Sequence, residues 1–335
     1  MNSLITTDLH LTDGIAEEYR WRIFDRLEEL ALKYKVSRIY ILGDGFDRKD
    51  RHTGLLVNKL VDKIIQLRDR AKVVVIILSG NHEKPLSGPY FWEFMKYQKD
   101  IFYIIKPTVD LDDVYLLPFS SNPIDDWRDL DFSSSPAIFM HQTVEGALIE
   151  GDRKVMSHHI LPPLPDIPIF SGDVHRPQIC NKIIYIGVPH PVRFGESWGG
   201  NRVILIKDGN FKNYLEIPVD SIRRDILEIS SSNDLKKLKY KTGDQLRIRY
   251  QLSGDSLSTW PVEESKIREW VEKKGVYLAS LEAKIVGDGL LQGEGKNESA
   301  FEFAKPEDVI LQFCKQEELS EDIKKVGLEL IKESR

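Results

Sequence analysis

The first hundred residues alternate between short apolar runs and longer segments with helical periodicity. The apolar runs cover residues 3–7, 38–42 and 72–78, and apolar side chains recur at helical spacing over 17–35 and 53–70. Elements in this β-α-β-α-β order form parallel strands that are joined by crossover helices. This alternation constrains the fold more than any other feature of the chain, and it predicts an α/β architecture.

After residue 100 the apolar runs come closer together and helical patterns become scarce. Seven short runs, from "IFYII" at 101–105 to "NYLEI" at 213–217, have the length and composition of strands. We expect them to extend the first sheet or to form a second sheet stacked on it, flanked by helices. Residues 1–220 are therefore predicted to form one large α/β (α+β) domain.

The pattern changes near residue 220. Residues 221–285 contain a strand, an amphipathic helix that ends at Gly275, and another strand, which predicts a small separate α+β domain. Residues 286–300 are rich in glycine and polar side chains, as in a linker. The end of the chain then has two short helical patterns, so 286–335 is predicted to be a linker followed by C-terminal helices.

Composition limits the class of protein and its location. The chain has 335 residues, of which 41% are hydrophobic and 30% charged, as in a soluble globular protein. No stretch has the length of a membrane span, and the start lacks the features of a signal peptide. Cys180 and Cys314 lack the spacing of a zinc site, so we expect reduced thiols and a cytoplasmic protein. A formal net charge of −6 argues mildly against a protein that grips DNA alone.

Polar side chains with metal-binding chemistry follow five of the predicted strands. Open α/β sheets bind ligands at the carboxyl ends of their strands, so these side chains should converge on one crevice. Carboxylate, imidazole and amide groups suit hard or borderline divalent cations. Each position alone has an ordinary explanation, such as a turn at Gly172-Asp173, but the set predicts a metal centre. Its members are Asp8, His10, Asp44, Asp47, Asn81, His82, His141, Asp173 and His175.

The motifs occur in the order D-x-H, GD-x-x-D, GNH-E, a single H, and G-x-x-H, which resembles the calcineurin-like metallophosphoesterases. Four phrases are similar to the SbcD branch, the nuclease subunit of SbcCD and its double-strand-break repair relatives: "GDGFDRK", "MHQTVEG", "GDVHRPQ" and "IIYIGVPHPVRFGE". Val188 stands where that branch has the serine of a GSP motif. The resemblance is strong over 1–220 and looser beyond.

The resemblance implies a two-sheet sandwich with a small cap that faces DNA and two divalent metal ions, Mn²⁺ or else Mg²⁺. It assigns Asp8, His10 and His175 to one metal. It assigns Asn81, His141 and Asp173 to the other, with Asp44 between them. His82 would act as an acid or stabilise the transition state, and Asp47 would orient a neighbouring histidine or a water. The family pattern has histidine in place of Asp173, so this position either makes the second metal site harder or weakens it.

The leading hypothesis is a two-metal DNA exonuclease or endonuclease that serves as the nuclease subunit of an SbcCD-like complex. A basic loop after the second strand would contact DNA phosphates through Arg48, Lys49, Arg51 and His52. The C-terminal helices would dock an SbcC-type coiled-coil ATPase or pack on their own domain. The first two helices would form a homodimer face. A small-molecule phosphodiesterase or phosphatase, and a non-catalytic scaffold, are the alternatives.

Overall fold

Six strands form the first sheet of the structure, a computed structural model that describes residues 1–49, 51–84, 90–149, 153–156, 160–196, 200–252 and 258–285. Four strands are parallel and lie side by side in chain order: β1 (Ser3–Thr6), β2 (Arg38–Leu42), β3 (Val74–Leu78) and β4 (Ile101–Ile104). Two antiparallel strands, β11 (Arg202–Ile206) and β12 (Leu215–Pro218), extend the sheet beyond β1.

Crossover helices connect the parallel strands, as the alternating pattern predicts. A 3-10 segment (Ile15–Trp21) leads into α1 (Arg22–Tyr34), and α2 (Gly54–Ala71) follows β2. The hydroxyl of Thr53 accepts a hydrogen bond from the backbone N–H of Leu56 and caps the start of α2. The predicted helix over 17–35 is therefore only partly α-helical, because its first turns have 3-10 geometry.

The second sheet also has six strands. They are β5 (Thr108–Val109), β6 (Tyr115–Leu117), β7 (Ile138–His141), β8 (Ile169–Gly172), β9 (Gln178–Cys180) and β10 (Ile183–Tyr185). Their order across the sheet is β5-β6-β7-β8-β10-β9, with the four central strands parallel. A single short helix, α3 (Pro123–Asp126), lies between β6 and β7.

The two sheets pack face to face. Ile5 and Tyr40 of the first sheet share one buried cluster with Phe139 and Phe170 of the second. The rings of Tyr40 and Phe139 meet edge to face with centroids 4.7 Å apart, a favourable aromatic geometry. Helices α1 and α2 cover the outer face of the first sheet. The predicted two-sheet sandwich flanked by helices is thus confirmed, and it places the ends of β1, β2 and β3 beside those of β7 and β8.

A third, smaller sheet follows the sandwich in the chain. Its three strands, β13 (Arg224–Ile229), β14 (Gln245–Leu252) and β15 (Tyr277–Ile285), are all parallel. Helix α4 (Trp260–Lys274) crosses from β14 to β15 and packs its apolar side on one face of the sheet. The helix ends at Gly275, whose φ of 63° is a conformation that glycine adopts without strain.

Side chains of the third sheet contact the sandwich directly. The guanidinium of Arg224 donates to the carbonyl of Val192 and pairs with Glu17 at 2.8 Å. Residues 1–286 form one compact unit, and the predicted division at residue 220 stays a prediction. The linker and C-terminal helices predicted for 286–335 lie outside the described residues. Within the described residues, no helix combines the length and the apolar character that crossing a membrane requires.

Candidate metal centre

The strand ends bring all the predicted metal-site side chains together. β1 and β2 end just before Asp8 and Asp44, while β3 ends three residues before Asn81. In the second sheet His141 is the last residue of β7, and Asp173 follows β8 directly. Both sheets therefore contribute to one crevice at the carboxyl ends of their parallel strands.

The backbone turns sharply at this edge. Asp8, His10, Asp44 and Asp173 have φ values between 42° and 75°, a region that non-glycine residues occupy only at a cost of about 1–3 kcal/mol each. Cross-strand hydrogen bonds hold the turns in place: the N–H of Asp8 donates to Gly43 at 3.1 Å, and that of His10 donates to Asp44 at 2.9 Å. In a regular strand these side chains would alternate between the two faces. The strained turns direct them into the crevice instead.

Two glycines allow the sheets to approach this closely. A Cβ atom at Gly43 would overlap the imidazole of His141, and one at Gly172 would overlap the hydroxyl of Thr7 and the carbonyl of Leu42. Gly43 also has a φ of 87°. Any larger residue would push the ends of β2, β7 and β8 apart.

Asp8, His10 and His175 form the first group that can hold a metal ion. The Nε2 atoms of the two imidazoles are 3.0 Å apart, and the Nε2 of His10 lies 3.6 Å from Oδ2 of Asp44. The Nδ1 of His175 bonds to Oε1 of Glu196 at 2.7 Å, which directs the Nε2 lone pair towards the crevice. Convergent lone pairs at such spacing suit a cation between them.

A second group consists of Asp44, Asn81, His141 and Asp173. The Nδ1 of His141 donates to the carbonyl of Leu42 at 2.5 Å, so Nε2 faces Asp44 Oδ1 at 3.4 Å and Asp173 Oδ1 at 3.7 Å. Within the described residues, His141 Nε2 and Asn81 Oδ1 are buried without a hydrogen-bond partner. Buried polar atoms are rarely left unpaired. These two atoms therefore fit a divalent cation.

Asp44 lies between the two groups. Its Oδ1 faces His141, while its Oδ2 lies 3.6 Å from His10 Nε2 and 3.8 Å from His82 Nε2. The side chain is buried and also takes part in metal-capable groups with Asp8 and His141 and with His10 and His82. A carboxylate with its two oxygens aimed at different donor sets can bridge two ions.

The carboxylate of Asp173 is held on both oxygens. Thr143 Oγ1 donates to Oδ2 at 2.5 Å, and the amide Nδ2 of Asn81 donates to Oδ1 at 3.1 Å. The second bond turns Asn81 Oδ1 towards the place where a cation would lie. Asp173 thus orients Asn81 in addition to offering an oxygen of its own.

His82 and Asp47 stand at the solvent side of the centre. The Nδ1 of His82 bonds to the backbone carbonyl of Asp47 at 2.6 Å, which leaves Nε2 facing the crevice. The carboxylate of Asp47 lies 3.7 Å from His10 Nδ1 and 3.4 Å from a guanidinium nitrogen of Arg20. Asp47 therefore contacts both histidines, one through its carbonyl and one through its side chain.

Burial and crowding shift the proton affinities of these groups. Burial raises the pKa of Asp8 and raises that of Asp44 well above its usual range. Burial, followed by neighbouring imidazoles, lowers the pKa of His10 far below its usual value. His141 is buried too, but Asp44, Asp8 and Asp173 outweigh that effect and raise its pKa to about 9. Protons held in this way must leave before a cation binds.

Three supporting residues had no role assigned from the sequence. The buried carboxylate of Glu83 accepts backbone N–H groups of Asp44 at 3.0 Å and Gly80 at 2.8 Å, and so joins the loops after β2 and β3. Glu196 fixes His175, and Arg20 donates to the carbonyl of His10. Glu83 belongs to the GNH-E motif and Glu196 ends the phrase "IIYIGVPHPVRFGE", but only three-dimensional contacts show what they do.

The predicted basic loop lies beside the centre. Arg48, Arg51 and His52 line a cavity of about 500 Å³ that reaches Asp47. The imidazole of His52 packs on the ring of Phe46 with centroids 4.2 Å apart. Lys49 is exposed on the same loop but does not line this cavity. The structure therefore brings three of the four predicted substrate contacts to one cavity wall.

The sandwich and its donor set are those of a metal-dependent hydrolase, and comparison with known proteins gives the family. Residues 1–182 match the calcineurin-like phosphoesterase family. The chain belongs to this family and is a metal-dependent phosphoester hydrolase. Its structure is similar to a crystal structure of Pseudomonas putida nuclease MPE, with 15% identity, 64% of this chain and 87% of that chain covered, and a TM-score of 0.30. No curated protein matches the sequence.

Proposed function

We propose that this chain hydrolyses phosphodiester bonds in DNA with two divalent cations, and that it serves as the nuclease subunit of an SbcCD-like complex. One observation carries the proposal: two donor sets meet at Asp44, and in the part of the chain that the structure describes His141 Nε2 and Asn81 Oδ1 point into the second set without a hydrogen-bond partner. Mn²⁺ suits this mixture of imidazole and oxygen donors, and Mg²⁺ would suit the second set.

The residues would divide the reaction among them. Asp8, His10 and His175 would hold one cation, and Asn81, His141 and Asp173 the other, with Asp44 shared. Cations held there would supply Lewis acidity for the in-line attack of water on phosphorus. A P–O bond to water forms, the ester P–O bond breaks, and the departing oxygen takes a proton. With Nδ1 bonded to Asp47, the Nε2 of His82 is the atom placed to exchange that proton.

Several features support DNA as the substrate, and a complex with other subunits as the active form of the protein. Arg48, Arg51 and His52 place basic groups beside the centre, where a DNA phosphate would lie. The net charge of −6 suits a subunit whose grip on DNA comes partly from an SbcC-type ATPase. Ile15 and Leu55 near the starts of the first two helices are 95% and 71% exposed, which suits a homodimer face.

Cleavage assays test the proposal. Purified protein is incubated with single-stranded and duplex DNA in Mn²⁺, with and without an SbcC-type partner, and we expect cleavage that a chelator abolishes. The absence of DNA cleavage in both settings would overturn it. Faster turnover of cyclic nucleotides than of DNA would instead identify a small-molecule phosphodiesterase. At most one metal equivalent per chain, unchanged in Asp173→His, would identify a scaffold.

A further inference from the structure

A small cavity opens beside the metal centre, away from the basic loop. Its volume is about 180 Å³, and three arginines line it, Arg153, Arg176 and Arg193. It reaches the metal centre at Asp173 and His175. None of the three arginines was expected from the sequence to contact substrate.

Cationic side chains outnumber carboxylates among the described residues that line this arginine cavity. They are three guanidinium groups, against the carboxylates of Asp173 and Glu196. Both carboxylates are engaged in other bonds: Glu196 bonds to His175 and to the N–H groups of Val192 and Arg193. Guanidinium groups present donors in a planar fork that matches the oxygens of a phosphate.

The size of the arginine cavity restricts what can enter. Pockets that enclose a whole organic ligand usually measure about 300–1,000 Å³. At about 180 Å³, the cavity suits a single anionic group rather than a nucleoside. Arg153 and Arg193 are exposed, so such a group can arrive from solvent.

The arginine cavity and the cavity beside the basic loop reach the metal centre at different residues. The loop cavity reaches it at Asp47, whereas the arginine cavity reaches it at Asp173 and His175. None of the described residues lines both cavities. A nucleic acid strand with its scissile phosphate at the centre has a further phosphate on each side, whereas a simple diester has none.

Cationic groups continue from the arginine cavity onto the third sheet. Phe194 follows Arg193 in the chain, and the guanidinium of Arg247 in β14 lies 4.3 Å from the centre of its ring. Arg249, two residues further along β14, is exposed on the same side of the strand. A strand that leaves the arginine cavity in this direction would meet Arg247, while Arg249 is already paired with Glu228 at 3.6 Å.

We propose that Arg153, Arg176 and Arg193 bind the phosphate next to the scissile one in a nucleic acid strand. This inference rests on the proposed function, because it needs the scissile phosphate at the metal centre. The arginine cavity then selects a strand with consecutive phosphates over a substrate with a single phosphodiester.

The test compares two substrates in matched variants. Arg153→Gln, Arg176→Gln and Arg193→Gln are each assayed on a DNA oligonucleotide and on bis(p-nitrophenyl) phosphate, which has one phosphodiester. Arg70→Gln, at an exposed position in the last turn of α2, is the control. We expect the ratio of kcat/KM for DNA to kcat/KM for the small diester to fall about tenfold in each cavity variant, and to stay constant in the control. An equal loss on both substrates would overturn the proposal, because it would mean that the arginines support the metal centre.

Binding measurements separate this proposal from the proposed function. Fluorescence anisotropy in Mn²⁺, in a His82→Ala background that keeps the metal ligands but slows cleavage, follows oligonucleotide binding over a series of salt concentrations. Each lost phosphate contact should reduce the slope of log affinity against log salt by about 1. An unchanged slope in all three variants would overturn the arginine site even if DNA is cleaved. A reduction confined to oligonucleotides with a 5′-phosphate would also overturn it, because the arginines would then bind a strand end. Failure of the unmodified protein to cleave DNA would count against the proposed function instead.

Discussion

Asp173 stands where the resemblance described in the sequence analysis implies a histidine, and its contacts give this difference a physical meaning. Its carboxylate accepts bonds from Thr143 and Asn81 at the same time. A histidine at this position offers one acceptor nitrogen at most. It could replace the ligand but could not hold both neighbours.

Exchange of this residue should change metal preference. In Asp173→His we expect Mn²⁺ affinity at the second position to fall about 10–100-fold, because Asn81 loses its orienting bond. Zn²⁺ affinity should fall less, because imidazole is the softer ligand. Titration calorimetry with each metal measures both effects. Thr143→Val, which keeps the carboxylate but removes one bond to it, should weaken Mn²⁺ binding without changing the preference. Equal losses for both metals in Asp173→His would contradict this account.

His82 should contribute to cleavage but not to metal binding. His82→Ala should reduce cleavage about 10²–10⁴-fold, the usual contribution of a positioned acid or base. The metal content should stay unchanged, because Asp44 and the other ligands do not rely on this side chain for their orientation. Metal analysis beside the kinetic assay checks both parts. Loss of metal would show that His82 is a ligand, as its place in a group with His10 and Asp44 allows.

Site residues that follow strands could be predicted from the sequence, because the carboxyl ends of parallel strands lie at one edge of the sheet. Asp8, Asp44 and Asp173 were found in this way. Glu83 could not be given a role, because its partners are backbone N–H groups, and one of them, that of Asp44 after β2, is 39 residues away in the sequence. The arginine cavity was missed for the same reason: its three arginines come from separate loops that leave no joint pattern in the sequence.

At the scale of elements, the attachment of the third sheet depends on Arg224, the first residue of β13. Its guanidinium contacts Glu17, the carbonyl of Val192 and the ring of Phe194. Arg224→Gln should lower the free energy of unfolding by about 1–3 kcal/mol, because buried polar partners lose a charged donor. Thermal unfolding measures the change. Arg268→Gln in α4 is the control, since that side chain is 59% exposed and its pair with Glu264 lies at the surface, so its loss should cost little.

The elements were predicted with uneven success, for identifiable reasons. β2 was predicted with its observed bounds, because a continuous apolar run over 38–42 defines a buried strand. β13 was missed, because Arg224 and Asp225 at its start conceal the apolar residues that follow. Both side chains are buried there and hold the sheet against its surroundings.

At the scale of the whole molecule, the crowded centre couples folding to pH and to metal. Without metal, the raised pKa of His141, about 9, gives stability that is complete below pH 6.5 and is lost as pH rises through 9. The raised pKa values of Asp8 and Asp44 act in the same direction, since burying their charged forms costs free energy. The lowered pKa of His10 plays no part above pH 6.5, where its imidazole is neutral in both states.

The metal-free protein should therefore become less stable between pH 6.5 and 9, by an amount of the order of 3 kcal/mol from His141. With Mn²⁺ the trend should weaken or reverse, because cations bind the deprotonated ligands and stabilise the folded state. Denaturant unfolding with chelator and with Mn²⁺, at several pH values, measures both trends. A metal-free stability that rises over this pH range would contradict the prediction.

The glycines at the ends of β2 and β8 have a consequence for how this chain can diverge. At Gly43 and Gly172 an added Cβ atom would overlap neighbouring atoms, so we expect no other residue to be accepted at these two positions. Arg48 and Lys49 on the basic loop are instead exposed to solvent. Substitutions in the loop can therefore change which substrates a descendant of this chain binds. The two glycines beside the metal centre would stay the same.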